Sequence, residues 1–275
     1  MRRFTVGSVV VVVSALSLVA GSVTAQTPVV SGLTLPPGAT VTIEVDVEVA
    51  NPLSNQVTVH RVCGQTQVTG DGFAMVSSDD PATAAVGDGT CTSLPDYGDA
   101  PNDGISTFFP TAEVDNGAVH ALGSGVYLGA SVDVDADGQG TAAADGDDAD
   151  GNNDDDGVLF TSAIDPGGTA TVDVTASGAC GALTCYLSAW MDFNGDGDWD
   201  DAGEQIFTDQ VVSAGVNSDL AYTVPLSSVA HTATYCRFRL STAAGLSFDG
   251  LAADGEVEDY RVTTVPVELT GFWVE

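Results

Sequence analysis

Ala170-Thr171-Val172-Asp173-Val174 and Cys236-Arg237-Phe238-Arg239-Leu240 alternate apolar and polar residues one by one. A period of two marks a strand with one buried face, because successive side chains on extended backbone point to opposite sides. Val41, Ile43, Val45, Val47 and Val49 repeat the pattern against Thr42, Glu44, Asp46 and Glu48, and Leu220, Tyr222 and Val224 follow it more weakly. No stretch beyond the N-terminal segment carries a helical period, and 32 glycines punctuate the gaps. The reading is an all-β, turn-rich sandwich.

The first residues read as a secretory signal. Arg2 and Arg3 form a basic start, residues 6–20 are almost wholly apolar, and Val23-Thr24-Ala25 offers small residues before a cut at Gln26. Residues 1–25 are therefore expected to be removed. The apolar run is short for a spanning helix, and no later segment is apolar enough, so no membrane span is expected after cleavage. The expected location is secreted or cell-surface.

Charge narrows the partners. The chain carries 39 acids against six arginines and no lysine, a formal net charge of −33. Phosphate binding needs positive charge, so nucleic acid is excluded as an expected partner. The acids are unevenly spread. Residues 26–95 hold seven in 70 positions, whereas residues 96–157 hold 15 in 62. General acidity keeps a chain soluble, but clustering points to divalent cations as the partner that neutralises it.

Five cysteines in a secreted chain suggest disulfides. Cys180 and Cys185 can close a small loop and Cys63 and Cys91 a larger one. Cys236 is left over, inside an alternating strand, where a buried thiol is expected.

Two segments carry metal chemistry. In Asp192-Phe193-Asn194-Gly195-Asp196-Gly197-Asp198-Trp199-Asp200-Asp201-Ala202-Gly203-Glu204, Asp192, Asn194 and Asp196 stand at positions one, three and five of a calcium loop. Gly197 falls at six, where the backbone turns sharply, and Asp198 and Asp200 follow. The closing acid of a helix-loop-helix hand would be position twelve. That position is Gly203, with Glu204 one later. The preceding residues 186–191 read as a strand, so a calcium loop in a β-hairpin is expected. The second segment is the acid run containing Asp145, Asp147, Asp148, Asp150, Asp154, Asp155 and Asp156. Its carboxylates repel one another unless a cation bridges them. Glu256, Glu258 and Asp259 are candidates to complete that shell from a late strand, with Glu256 and Glu258 on one face and Asp259 on the other.

Ordered blocks along the C-terminal two-thirds resemble the GEVED domain, a module of bacterial secreted and surface proteins. They are Asp96-Tyr97-Gly98-Asp99-Ala100-Pro101, Asn116-Gly117-Ala118-Val119-His120, Tyr127-Leu128-Gly129, Asp133-Val134-Asp135-Ala136-Asp137-Gly138-Gln139, Trp190-Met191-Asp192-Phe193-Asn194-Gly195-Asp196-Gly197, Phe238-Arg239-Leu240-Ser241 and Gly255-Glu256-Val257-Glu258-Asp259-Tyr260. Val119 sits where the family often has arginine, and Cys180 and Cys185 look like additions. Upstream, Asn51-Pro52-Leu53, Val68-Thr69-Gly70-Asp71-Gly72-Phe73, Asp79-Asp80-Pro81 and Thr90-Cys91-Thr92 resemble the closing part of an Ig-like bacterial surface repeat. In such repeats the flanking cysteines pair, which supports Cys63–Cys91. The resemblances imply a signal at 1–25, a partial Ig-like β domain at 26–94, a GEVED-like β-sandwich at 95–265 and a truncated tail at 266–275. The fold class they imply is all-β, Ig-like or jelly-roll-type sandwich modules with long acidic calcium-binding loops.

Catalysis is not expected. Glycosidases need two carboxylates, one sheltered with a raised pKa, whereas crowded glycine-flanked aspartates suit metals. No G-x-S-x-G or H-E-x-x-H occurs, and His60, His120 and His231 lie far apart. His120 reads as a packed or loop-bonding residue. Trp190 and Trp199 could form a sugar-stacking platform, but such residues are more often core, and Trp190 lies within a strand pattern. The expected function is a non-catalytic, calcium-binding structural or adhesion protein, with cell-surface proteins or a polysaccharide as further partners. The alternative is a carbohydrate-binding accessory module, then a glycoside hydrolase.

Overall fold

A computed structural model describes residues 8–13, 29–34, 61–64, 66–70, 73–77, 90–103, 107–135, 137–146, 153–229 and 233–264. The alternating stretch 41–49, Asp147, Asp148, Asp150, His60, His231 and the tail 266–275 lie outside the described residues. The chain divides into two compact units, Met1–Ser93 and Leu94–Glu275. Among the described residues the regular structure is almost all strand. The helical pieces are short 3-10 turns such as Glu113–Asp115 and Ala179–Gly181, and no helix is long and apolar enough to cross a membrane.

In the first unit, β1 (Ser8–Val13) lies between β2 (Val29–Thr34) and β4 (Thr66–Gly70), and β5 (Phe73–Ser77) pairs with β4. The apolar segment of the expected leader thus forms a strand in the uncleaved chain. Strands β3 (Arg61–Gly64) and β6 (Thr90–Ser93) pair antiparallel with Cys63 directly opposite Cys91. Directly opposed residues of an antiparallel pair have Cα atoms roughly 4.5–5.5 Å apart, within the span of a disulfide.

Among the described residues of the second unit the strands form three sheets. The first joins β10 (Val158–Phe160), β11 (Thr169–Gly178) and β14 (Gly215–Thr223), with β9 (Val126–Leu128) also paired to β11. The second runs β13-β12-β15-β17, where β12 is Cys185–Met191, β13 Gln205–Val212, β15 Thr234–Ser241 and β17 Glu256–Val262. The third is β16 (Leu251–Ala252), β8 (Val119–Ala121) and β7 (Pro95–Tyr97), with β16 and β8 parallel.

One apolar cluster draws from the first two sheets. Ala170, Val172 and Val174 of β11, Leu187 and Ala189 of β12, and Cys236, Phe238 and Leu240 of β15 are all fully buried within it. This is the face the alternation predicted. Each Val, Leu or Phe among them contributes roughly 1.5–3 kcal/mol when removed from water, the alanines less. The pleat of β13 changes parity near Asp209, which takes a positive φ of 50°. A register irregularity between Leu187 and Ala189 accommodates it, and the bulge lets both Phe207 and Val212 face inward.

The alternation misleads at β15. Arg237 and Arg239 fall at its polar positions, yet both are fully buried. Segments that lack a period of their own cover that outer face. Arg237 Nη1 donates to the carbonyls of Pro110 (2.6 Å) and Phe248 (2.9 Å), and Arg239 donates to those of Ser247 (2.7 Å), Asp249 (2.6 Å) and Gly250 (2.7 Å). Beside them Phe109, Trp190 and Trp199 form a second apolar cluster with Ala100.

Candidate metal centre

Residues 192–204 connect two antiparallel strands, β12 and β13, so the loop closes a β-hairpin as expected. Gly195, Gly197 and Gly203 take φ of 74°, 95° and 98°, which favours residues without a side chain. The two ends of the loop turn inward. Asp192 is 3% exposed and Glu204 2%. Asp192 accepts from the N–H groups of Gly195 (2.5 Å) and Gly197 (3.2 Å). Glu204 accepts from those of Phe193 (3.1 Å) and Asp201 (3.3 Å). Burial, and then the charge of Asp192, push the Glu204 carboxyl up to about 7. The middle of the loop is wetter. Asn194, Asp196 and Asp200 are exposed and Asp198 half-buried. Asn194 Nδ2 donates to Asp196 (2.9 Å) and Asp201 (2.5 Å), and Asp198 with its neighbours raises the pKa of Asp200.

The late strand gathers a second set of acids. Glu256 and Glu258 of β17 are fully buried and stand opposite Leu240 and Phe238 in the ladder. They therefore share the face turned toward β9 and the start of β10. Glu258 Oε1 accepts from Gly157 N–H (2.8 Å) and Asp156 N–H (3.1 Å), and Oε2 from the Tyr260 hydroxyl (2.9 Å). Glu256 Oε2 accepts a short bond from Leu128 N–H, while its Oε1 is buried without a hydrogen-bond partner. Burial, followed by the charges of Glu258, Asp96 and Asp154, drives the Glu256 carboxyl far above its ordinary range. Glu258 is raised in the same direction, again chiefly by burial.

The acid run does meet this strand. Asp155 accepts from Asp259 N–H (3.1 Å), and Asp154 accepts from Asp133 N–H (2.9 Å). Asp156 accepts from Ala130 N–H (2.7 Å). From the other side Asp96 accepts from Val257 N–H (2.9 Å). Asp96 and Asp155 so cover the N–H row that the outer edge of β17 would otherwise present.

Asp259 behaves differently from its neighbours. It points to the opposite face, as the pleat requires, and both oxygens take bonds from Arg237, at 2.7 Å from Nε and 2.6 Å from Nη2. Both side chains are fully buried. Ala100 N–H adds a bond of 2.8 Å to Asp259, and the Arg237 guanidinium lies 4.7 Å over the Trp199 ring. Gly98 permits this close approach, since a Cβ there would stand 2.5 Å from Asp259 Oδ2. The carboxylate expected among the metal ligands is thus held in a buried ion pair.

Among the described residues, no group of three or more His, Cys, Asp or Glu side chains stands ready-made around a point where an ion would sit. The physical reason is visible in most of the bonds above: the carboxylates turn to backbone N–H groups, or in Asp259 to Arg237, which compensate part of their burial. His120 is fully buried and packed, as expected. Its Nε2 accepts from Arg239 (2.9 Å), so Nδ1–H donates to the Asp254 carbonyl at 2.7 Å. Burial and Arg239 hold its pKa well below the usual imidazole value. Cys180 and Cys185 form a disulfide, and Cys236 is a buried free thiol.

Trp190 and Trp199 are 4% and 2% exposed, and Trp199 Nε1 donates to the Tyr235 carbonyl (3.2 Å). Neither can stack on a sugar. The residues that sequence reasoning passed over are Asp96, Arg237 and Arg239. For the two arginines the one sequence signal is scarcity: two of the six arginines in a lysine-free chain sit in a single strand.

Residues 186–263 match the family model of the GEVED domain. The matched stretch covers β12, β13, β15 and β17, and so contains the hairpin loop, the Arg237–Asp259 pair and the buried glutamates. Asp96 and the acid run lie outside the GEVED match. Neither the comparison with curated proteins nor that with solved structures returned a match.

Proposed function

We propose that this is a secreted, non-catalytic, calcium-stabilised β-sandwich protein with a structural or adhesive role at a cell surface or in a matrix. The observation that carries the reading is the buried pair at the two ends of the hairpin loop. Asp192 and Glu204 are both buried, and each raises the cost of ionising the other. A divalent cation removes that cost, because it favours both carboxylates in their charged form. Asn194, Asp196, Asp198 and Asp200 would supply further oxygens at the wetter end. Calcium suits such a loop better than magnesium, because it accepts six to eight oxygens in flexible geometry. The two sheets that share one apolar cluster support the sandwich reading.

The role follows from the ion. Acidic loops that bury little apolar area cannot order themselves, and a bound cation would fix them as a rigid surface for a protein or polysaccharide partner. The carbohydrate-binding alternative loses its two tryptophan candidates to the core. A calcium titration followed by the fluorescence of Trp199, which lies inside the loop, tests the reading. Saturable binding in the wild type and its loss in Asp192→Asn are expected. An unchanged titration in Asp192→Asn would contradict it.

A further inference from the structure

We infer that Asp209 and Asp219 guard two open sheet edges: each forces a bulge into an outer strand and so keeps a second copy of this chain from adding a strand there. The inference does not depend on calcium. Among the described residues, β13 and β14 are the outermost strands of their sheets. They are eight and nine residues long, and only Ser213 and Ala214 separate them, so both free edges flank one turn. Val211 and Val216 beside that turn are exposed. A long outer strand is a template for pairing with another chain, because its outward N–H and C=O groups lack a ladder partner. Proteins often blunt such edges with lysine, and this chain has none.

Each outer strand carries one residue too many for its neighbour. Leu187 and Ala189 of β12 face Gln210 and Phe207, so two steps on β12 meet three on β13. Val172 and Val174 of β11 face Leu220 and Asn217, again two steps against three. Both extra residues fall on the outer strand. In both places an aspartate takes a left-handed φ, 50° at Asp209 and 55° at Asp219. Aspartate visits that region more readily than most residues, because its short side chain bonds locally. The aspartate N–H groups turn to side chains of the inner neighbour: Asp209 N–H donates to the Ser188 hydroxyl (3.2 Å) and Asp219 N–H to Asp173 (2.8 Å). Asp209 Oδ1 also accepts from Gly245 N–H (2.7 Å), which fixes the bulge from a second side. A bulge bends its strand and breaks the regular row of outward groups, so a straight strand cannot lie along it. The opposite edges are closed by other means. Asp96 and Asp155 accept from N–H groups of β17, and β10 is three residues long.

The test deletes the extra residue. Without Asp209 or Asp219 the outer strand matches its neighbour step for step, so the inward residues keep their side. Amide hydrogen exchange and sedimentation velocity are measured over a range of concentration on the full-length wild type, the two deletions, Asp209→Gly and Asp219→Gly. The ionic strength is high enough to screen the net charge of −33. Wild type and both glycine variants, which keep the left-handed residue, should show no concentration-dependent protection of β13 or β14 amides. Each deletion should gain that protection on its own edge strand, together with a species of about twice the starting mass or more. Wild-type amides of β13 or β14 that become protected at high concentration would show that charge, not the bulge, keeps copies apart, and would overturn the inference. Folded deletions without edge protection would also overturn it. Where a deletion does not melt cooperatively, Asp209→Val or Asp219→Val takes its place, because a β-branched residue resists a positive φ. Edge protection should again rise with concentration; a valine variant that fails to fold, or folds without that rise, counts against the inference.

Discussion

Asp259→Asn separates structure from ion binding within a single motif. Asp259 and Arg237 are both fully buried and joined by two bonds. Removing one partner of such a pair strands the other charge and costs about 3–5 kcal/mol. For a unit of this size each kcal/mol moves the melting temperature by roughly 2–4 °C, so the midpoint should fall by roughly 6–20 °C. Replacing both residues, as Arg237→Met with Asp259→Leu, should recover only part of that. Arg237 also satisfies the carbonyls of Pro110 and Phe248, and each orphaned carbonyl costs about 1–3 kcal/mol. The assay is thermal unfolding followed by far-ultraviolet circular dichroism, in chelator and in calcium, with ion stoichiometry measured beside it. Equal losses in both conditions with unchanged stoichiometry are expected. A variant that loses an ion while its midpoint in chelator stays at the wild-type value would refute the reasoning and return Asp259 to the ligand set.

Glu204 sets a pH dependence for the chelated chain. Its folded pKa of about 7 exceeds its ordinary value of 4.5, so the folded state binds the extra proton, and stability should rise as pH falls from about 7 to about 4.5. The gain is at most about 3 kcal/mol; it should vanish in Glu204→Gln and shrink in saturating calcium, as read from urea midpoints across that range. His120 acts in the opposite sense. Its pKa is lowered on folding, so its contribution is complete above about 6.5 and is lost as pH falls further; His120→Gln should flatten that part of the profile. The disulfide between Cys180 and Cys185 closes a loop with a sequence separation of 5. Its removal as a double alanine variant should cost about 2 kcal/mol of unfolding free energy in urea.

The β class was legible because strand alternation survives wherever one face meets the core and the other meets water. Ala170, Val172 and Val174 are such positions. The hairpin around Asp192 was legible too, since strand-patterned residues run directly into oxygen- and glycine-rich spacing. Arg237 and Arg239 were not. A polar residue in an alternating strand reads as solvent-facing, and nothing local reveals that residues 108–122 and 246–250 will cover that face. The pleat separated Asp259 from Glu256 and Glu258 in the sequence itself. That Arg237 would face Asp259 depends on the register between β15 and β17, which is a long-range fact. The importance of Asp96 was hidden for the same reason: it lies 161 residues from the N–H it caps.

The central claim is that divalent ions order the acidic loops. The most direct measurement is the unfolding midpoint of the chain in calcium, in magnesium and in chelator, at one fixed high ionic strength that screens general repulsion. The account predicts a midpoint in calcium well above the other two, with the calcium increment reduced in Asp192→Asn. Three equal midpoints would contradict it and leave the acidity as a solubility feature of the surface.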